Sequence, residues 1–206
     1  MASPSGVFAR NPQAERRPRR SGVLAWTCSR LLALSFFAST CAAQSINEAV
    51  GTEHAVKAAF IYKFLAYVDW PPDALSEPSA PLVVGVLNEE DVAADLGRLA
   101  LSKTVNNRMV KVRLLRDGEP LNGLHALYTG NAEYGSLHGL LRAAQARPIL
   151  TITDAEGALA MGSIINFRIV DNRVRFEISY DAAEKSNLRL SSRLISVAYA
   201  VQKGTP

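Results

Sequence analysis

The side chains best suited to polar recognition gather near the C-terminus. In Arg173-Val-Arg-Phe-Glu-Ile-Ser179, the two-residue period of a strand puts Arg173, Arg175 and Glu177 on one face. Val174, Phe176 and Ile178 take the other. Leu188-Arg-Leu-Ser-Ser-Arg-Leu194 then adds Arg189, Arg193 and two serines ahead of a helical run. A guanidinium is a rigid fork of donors matched to carboxylate and phosphate groups. The helix-start amides behind it favour the same ligands. Arg175, Glu177, Arg189 and Arg193 are therefore expected to line a ligand or partner site near the C-terminal helix. The segment over 180–191 is short enough to bring the last two back toward the sheet. The plainer alternative is a salt-bridged strand face and a helix capped by Ser191 or Ser192. A second candidate is aromatic. Phe60, Phe64 and Tyr67 are expected in the core, while Tyr62 and Trp70 fall off their stripe and are expected to face a partner.

Other chemistry is poorly represented. There is no Gly-rich phosphate loop after a strand, no Walker lysine, no HExxH and no GxSxG. His54, His125 and His138 are scattered without metal-ligand spacing and read as surface or capping residues. Asp69, Asp154 and Glu177 offer carboxylates, but nothing in their spacing brings them together. Asp69 reads as the end of a helix and Asp154 as a cap after its strand. Val86-Leu87-Asn88 closes a strand, and open α/β sheets bind ligands at such ends. An ordinary connecting loop is the commoner outcome there. No catalytic residue, metal or cofactor is expected.

The elements that must position these residues follow from periodicity. Residues 52–70 have helical spacing, with Val56, Ala59, Phe60, Phe64, Tyr67 and Val68 on one stripe, and Pro71-Pro72 as the stop. A loop follows over 71–81. The unbroken apolar run 82–87 suits a strand buried on both faces. Then come a helix over 92–101, strands over 109–115 and 125–129, a helix over 136–147 and a buried strand over 149–153. Strands over 163–170 and 173–179 flank Asp171-Asn172, a two-residue hairpin signal. A helical turn is expected over 181–186 and a terminal helix over 192–201. Alternation of strands and helices predicts a single-domain α/β fold, a wound mixed sheet with crossover helices and a C-terminal hairpin plus helix.

The chain has 206 residues and a net charge of +4. The charge is unevenly placed. Residues 1–30 hold six arginines against Glu15, and the rest is close to neutral, so the body has no general electrostatic claim on nucleic acid. The basic arm precedes an apolar run, Leu31-Leu-Ala-Leu-Ser-Phe-Phe-Ala38, and small residues at Cys41 and Ala43. Together they read as a secretory signal over 1–43, cleaved after Ala43, with a polar leader over 44–51 and the domain over 52–203. Arg19-Arg20 fits a twin-arginine signal poorly, and Cys41 matches a lipoprotein motif weakly. Both cysteines, Cys28 and Cys41, lie in that signal. The exported body then has neither disulfides nor thiolate metal sites, and is large enough to rely on its core.

Several motifs in order resemble one family. Ala55-Val-Lys-Ala-Ala-Phe-Ile-Tyr-Lys-Phe64 running to Val68-Asp-Trp-Pro71 is similar to the opening motif of YfiR-like proteins. The run 81–87, Ile149-Leu-Thr-Ile-Thr-Asp154, the stretch 157–166, Val174-Arg-Phe-Glu-Ile178 and Leu188-Arg-Leu-Ser-Ser-Arg-Leu194 follow in the family's order. The resemblance implies a periplasmic α/β regulator, often a homodimer, without catalysis. Its expected partner is a membrane-bound diguanylate cyclase or sensor kinase, and an OmpA-like lipoprotein can relieve such inhibition. Disulfides known within the family do not carry over, because the exported body lacks cysteine. The alternative is a periplasmic binding domain for a small anionic or aromatic ligand.

Export gives the first prediction. Mass spectrometry of periplasmic extract should find a mature chain starting at Gln44. An intact 1–43 segment on cytosolic protein would overturn the signal assignment.

Overall fold

Leu82–Leu87 (β2) alternates Leu82, Val84 and Val86 toward one face with Val83, Gly85 and Leu87 toward the other, and both faces are covered. The computed structural model describes residues 53–75, 77, 79–130 and 134–203. The signal and leader assigned to 1–51 lie outside them. The elements are α1 (residues 53–64), β1 (Val68–Asp69), β2, α2 (Glu90–Ser102), β3 (Val110–Leu115), β4 (Ala126–Thr129), α3 (Tyr134–Gln145) and β5 (Leu150–Thr153). After them come β6 (Ile165–Val170), β7 (Arg173–Ser179), α4 (Tyr180–Lys185), β8 (Arg189–Leu190), α5 (Ser192–Ser196) and β9 (Ala200–Gln202). Short 3-10 turns cover Leu65–Tyr67 and Pro72–Ala74.

Seven strands form one sheet in the order β3-β2-β4-β5-β6-β7-β9. β3 through β6 are parallel, β6 and β7 are an antiparallel hairpin, and β9 returns parallel to β7. This is the wound mixed α/β sheet expected from the sequence. Val92 and Leu96 of α2 join Ala58, Ile61 and Phe64 of α1, and Leu65 of the turn after it, over one face, in a cluster with Val84, Tyr128, Ile152, Phe167 and Phe176. Leu137, Leu141 and Ala144 of α3 cover the opposite face. The Asp171-Asn172 turn has both φ angles positive, at 49° and 55°, as a two-residue hairpin requires. At Gly85 a Cβ would lie 2.7 Å from Leu115 and 2.8 Å from Leu124, so glycine lets those leucines close over the strand.

Two elements depart from the sequence reading. The helix expected over 52–70 ends at Phe64, and Val68–Asp69 turns into a strand paired with Leu190 and Arg189. The helix expected over 192–201 ends at Ser196, and Ala200–Gln202 becomes the sheet's edge strand beside Glu177, Ile178 and Ser179. In both places a short apolar stretch serves helix or strand equally well, and a distant ladder decides. The buried line of α1 is also rotated from the expected stripe. Ala58, Ile61, Phe64, Leu65 and Val68 are at most 2 % exposed, while Tyr67 is 37 % exposed. Trp70, read as off the stripe, is buried, and its Nε1 donates to the His125 carbonyl at 3.1 Å.

His125 is an internal brace and not the surface or capping histidine the sequence suggested. Val83 N–H donates to its Nδ1 at 3.0 Å, so the ring proton belongs on Nε2, which donates to the Ala74 carbonyl at 3.0 Å. Its backbone N–H also donates to Val83 O, and its carbonyl accepts from Leu150 N–H. One residue thus ties β2, β5, the 72–74 turn and Trp70 together. Burial lowers the ring's pKa from the usual 6.5, outweighing the bond to Ala74, and nearby Arg108 lowers it further.

A neutral ring is favoured in the fold, so its contribution is complete above about pH 6.5 and is lost as pH falls through the lower folded value. The urea midpoint should drop on acidification through this window. His125→Ala should cost about 1–3 kcal/mol at neutral pH and flatten that dependence. An unchanged slope in the variant would remove His125 as its source.

Candidate functional site

The densest polar constellation forms where the parallel strands end under α1. Lys57 lies on the buried side of that helix and is only 7 % exposed. Its ammonium donates to Asp154 Oδ2 at 2.6 Å and meets Glu53 Oε1, one turn earlier, at 2.7 Å. Asp154 follows β5 directly. The same Oδ2 accepts from the buried Tyr128 hydroxyl of β4 at 3.1 Å. Asp154 is therefore an ion-pair and hydrogen-bond acceptor, where the sequence suggested a cap for the segment after its strand. Its other oxygen, Oδ1, is buried and accepts no hydrogen bond among the described residues.

The charge states follow from this packing. Burial alone would lower the Lys57 pKa. Hydrogen bonds to Asp154 and Glu53, with their charges, outweigh it and hold the ammonium above the ordinary lysine value. A lysine that acts as nucleophile or base needs the opposite shift. Burial, then the charges of Asp154 and Glu89, push the Tyr128 phenol far above its usual range, so it remains a donor. The arrangement is a charged brace that holds α1 to the sheet. A cavity of about 480 Å³ opens beside it, lined by Glu53, Lys57, Asp154, Glu156, Phe167 and Arg168.

The hairpin β6–β7 runs past the end of β5 and carries the arginines singled out in the sequence. Arg175 is exposed and lies opposite Arg168 of β6. Arg168, on the cavity rim, reaches 3.9 Å from Glu177, which is mostly buried. Period-two alternation along 165–170 carried the signal for Arg168, but the residue was overlooked beside the denser arginine run. Arg175 and Glu177 face away from Phe176 and Ile178. Leu188, Leu190 and Leu194, the neighbours of Arg189 and Arg193, pack in the cluster on the Phe176 side. The structure thus places the two arginine pairs on opposite sides of the sheet. Arg189, exposed on β8, lies across from Asp69, and Arg193 is exposed on α5. Ser191 caps α5, accepting from Arg193 N–H at 3.2 Å. Tyr62 is partly buried against the core, and its hydroxyl has no partner among the described residues. Tyr67, Val197 and Tyr199 are the exposed apolar side chains flanking β8 and α5.

The three carboxylates weighed in the sequence, Asp69, Asp154 and Glu177, are not brought into a pair. Among the described residues no group of three or more His, Cys, Asp or Glu side chains is placed to hold a metal, and no helix is long and apolar enough to cross a membrane. Fold and site together define a wound α/β domain with braced interior charges and exposed arginine edges. The chain belongs to the YfiR/HmsC-like family (DUF4154), whose model matches residues 54–199. That family is one of periplasmic regulators and is not an enzyme class. No curated protein matches the chain.

Removing one partner of a buried ion pair leaves the other charge uncompensated. Lys57→Met should lower stability by about 3 kcal/mol, read as a shift of the urea midpoint. Adding Asp154→Leu to it should restore part of the loss. A Lys57→Met variant as stable as the parent would show that the brace does not hold α1.

Proposed function

We propose that the chain is exported and acts in the periplasm by binding and restraining a membrane-bound signalling protein, a diguanylate cyclase or a sensor kinase. The observation that carries this reading is the family match, which runs from the first turns of α1 to the threshold of β9. The contact surface we assign is the side bearing Arg189 and Arg193, with Tyr67, Val197 and Tyr199 around them. Arginine and tyrosine are the residues that dominate protein interfaces, and β1 paired with β8 supplies a fixed backbone beneath them. The signal-like arm over 1–43 supports delivery to that compartment. An OmpA-like lipoprotein that captures the domain, and a homodimer, fit the same scheme.

A second reading is favoured by the hairpin. Arg168, Arg173 and Arg175 share one face of the ribbon with Glu177, and this mostly cationic face suits a small carboxylate or phosphate ligand; of the four only Arg168 reaches the 480 Å³ cavity, which Glu53, Asp154 and Glu156 also line. Such a ligand would shift the regulator between partner-competent states.

Deleting the gene should raise cyclic di-GMP or the output of the cognate kinase, and the exported domain should reverse the change. Charge reversal at Arg189 and Arg193 should abolish restraint with an unfolding midpoint close to the parent's, since exposed ion pairs contribute about 0–1 kcal/mol. Loss of restraint on Arg175→Ala alone would favour the hairpin reading. Unchanged output in the deletion strain, with a partner gene present, would overturn the proposal.

A further inference from the structure

The strand order places a reversal between β2 and β4. The chain leaves β2 through α2 toward β3 on one side, then crosses to β4 and leaves through α3 on the other side. α2 and α3 cover opposite faces, so the chain leaves the paired carboxyl ends of β2 and β4 in opposite directions. Open α/β sheets bind ligands in the crevice at such a point. Here the crevice has a volume of about 690 Å³. Its floor is apolar, with Leu87, Leu115, Leu121, Leu137 and Leu140.

The rim has a definite sign. Arg116 is held by Glu90 at 2.7 Å, and Asp117 accepts from Asn88 at 3.0 Å. The Glu119 carboxylate accepts from the Arg116 backbone N–H at 3.2 Å. Glu89 is different. It lines the crevice and is mostly buried, and its carboxylate has no hydrogen bond or ion pair among the described residues. It lies over Gly130, where a Cβ would fall on the carboxylate itself. A glycine after β4 is what allows an acid after β2 to reach across the strand ends.

We propose that this switch-point crevice is a binding site for a small organic cation with an apolar body, its ammonium held by Glu89 and its body on the leucine floor. Charge complementarity selects the cation. Glu89, Asp117 and Glu119 face it, and the single rim arginine is already neutralised. Burial and the neighbouring Asp154 raise the Glu89 pKa, so an incoming ammonium relieves a carboxylate held in poor surroundings. The same proximity to Asp154 and Lys57 links the crevice to the brace under α1. The site goes beyond the regulatory reading and does not depend on it.

The probe is hexylammonium, with hexanoate and 1-hexanol as the anionic and neutral controls, titrated into the full chain and followed by amide NMR. Hexylammonium should shift Gly130, Gly135 and Gly139 and bind roughly tenfold or more tightly than either control. Glu89→Gln should fold at least as stably, because it removes a poorly solvated charge, and should lose that preference. Ala143→Leu, at the crevice wall, should weaken all three probes. Equal binding of the three, a preference that survives Glu89→Gln, or shifts confined to the β6–β7 hairpin would each overturn the site. Failure of the deletion phenotype would leave these readings unchanged, so the two proposals fail separately.

Discussion

A lysine ammonium cannot leave water alone. Its desolvation costs several kcal/mol unless opposite charge and hydrogen bonds replace the lost water. Lys57 sits on the line along which α1 meets the sheet, so the helix can dock only where carboxylates wait. Asp154 waits at the end of β5 and Glu53 one turn back on the helix itself. Tyr128 completes the set from β4. The apolar contacts of α1 are broad and adaptable. The aromatic rings of Phe60, Phe64, Phe167 and Phe176 pack at 4.8–6.1 Å between centroids and would tolerate small slides. The ion pair does not tolerate them, and it sets the helix's register.

That register decides what lies at the carboxyl edge of the sheet. On one side of the brace is the cavity beside the β6–β7 hairpin. On the other, past Glu89 and Gly130, is the crevice at the carboxyl ends of β2 and β4. Glu89 feels Asp154 and Lys57 electrostatically, so the two openings share one charge balance. A ligand that changed that balance at either opening would act on α1, whose last turns lead directly into the β1–β8 ladder and its exposed arginines.

The opposite end of the domain is held by neutral groups. His125 joins three segments through its ring and backbone, and Trp70 closes over it. Back at the brace end, beside Asp154, a buried network in which the Thr153 hydroxyl lies 2.7 Å from Asn166 and 2.9 Å from Ser163 fixes the crossing from β5 to β6. Such networks hold one arrangement because each donor has few partners within reach.

Periodicity along the chain was enough to read the fold class and most element positions. Strand runs over 82–87 and 173–179 and the Asp171-Asn172 turn were legible because period-two alternation and turn chemistry are local properties. Family membership was legible for a similar reason, since its motifs are short and ordered. Tertiary structure alone decided the rest. Lys57 was passed over because a charge on a helix reads as solvent-facing, which shifted the expected stripe by one position and sent Trp70 outward and Tyr67 inward. Only the fold brings Asp154, 97 residues away, to that ammonium. Residues 68–69 and 200–202 are strands because distant ladders offered their backbones partners, a choice no local propensity encodes. The arginine pairs were read as one cluster because chain proximity suggests it. The sheet separates them, because a strand and the segment that crosses back over its other face are joined by sequence and divided by the core.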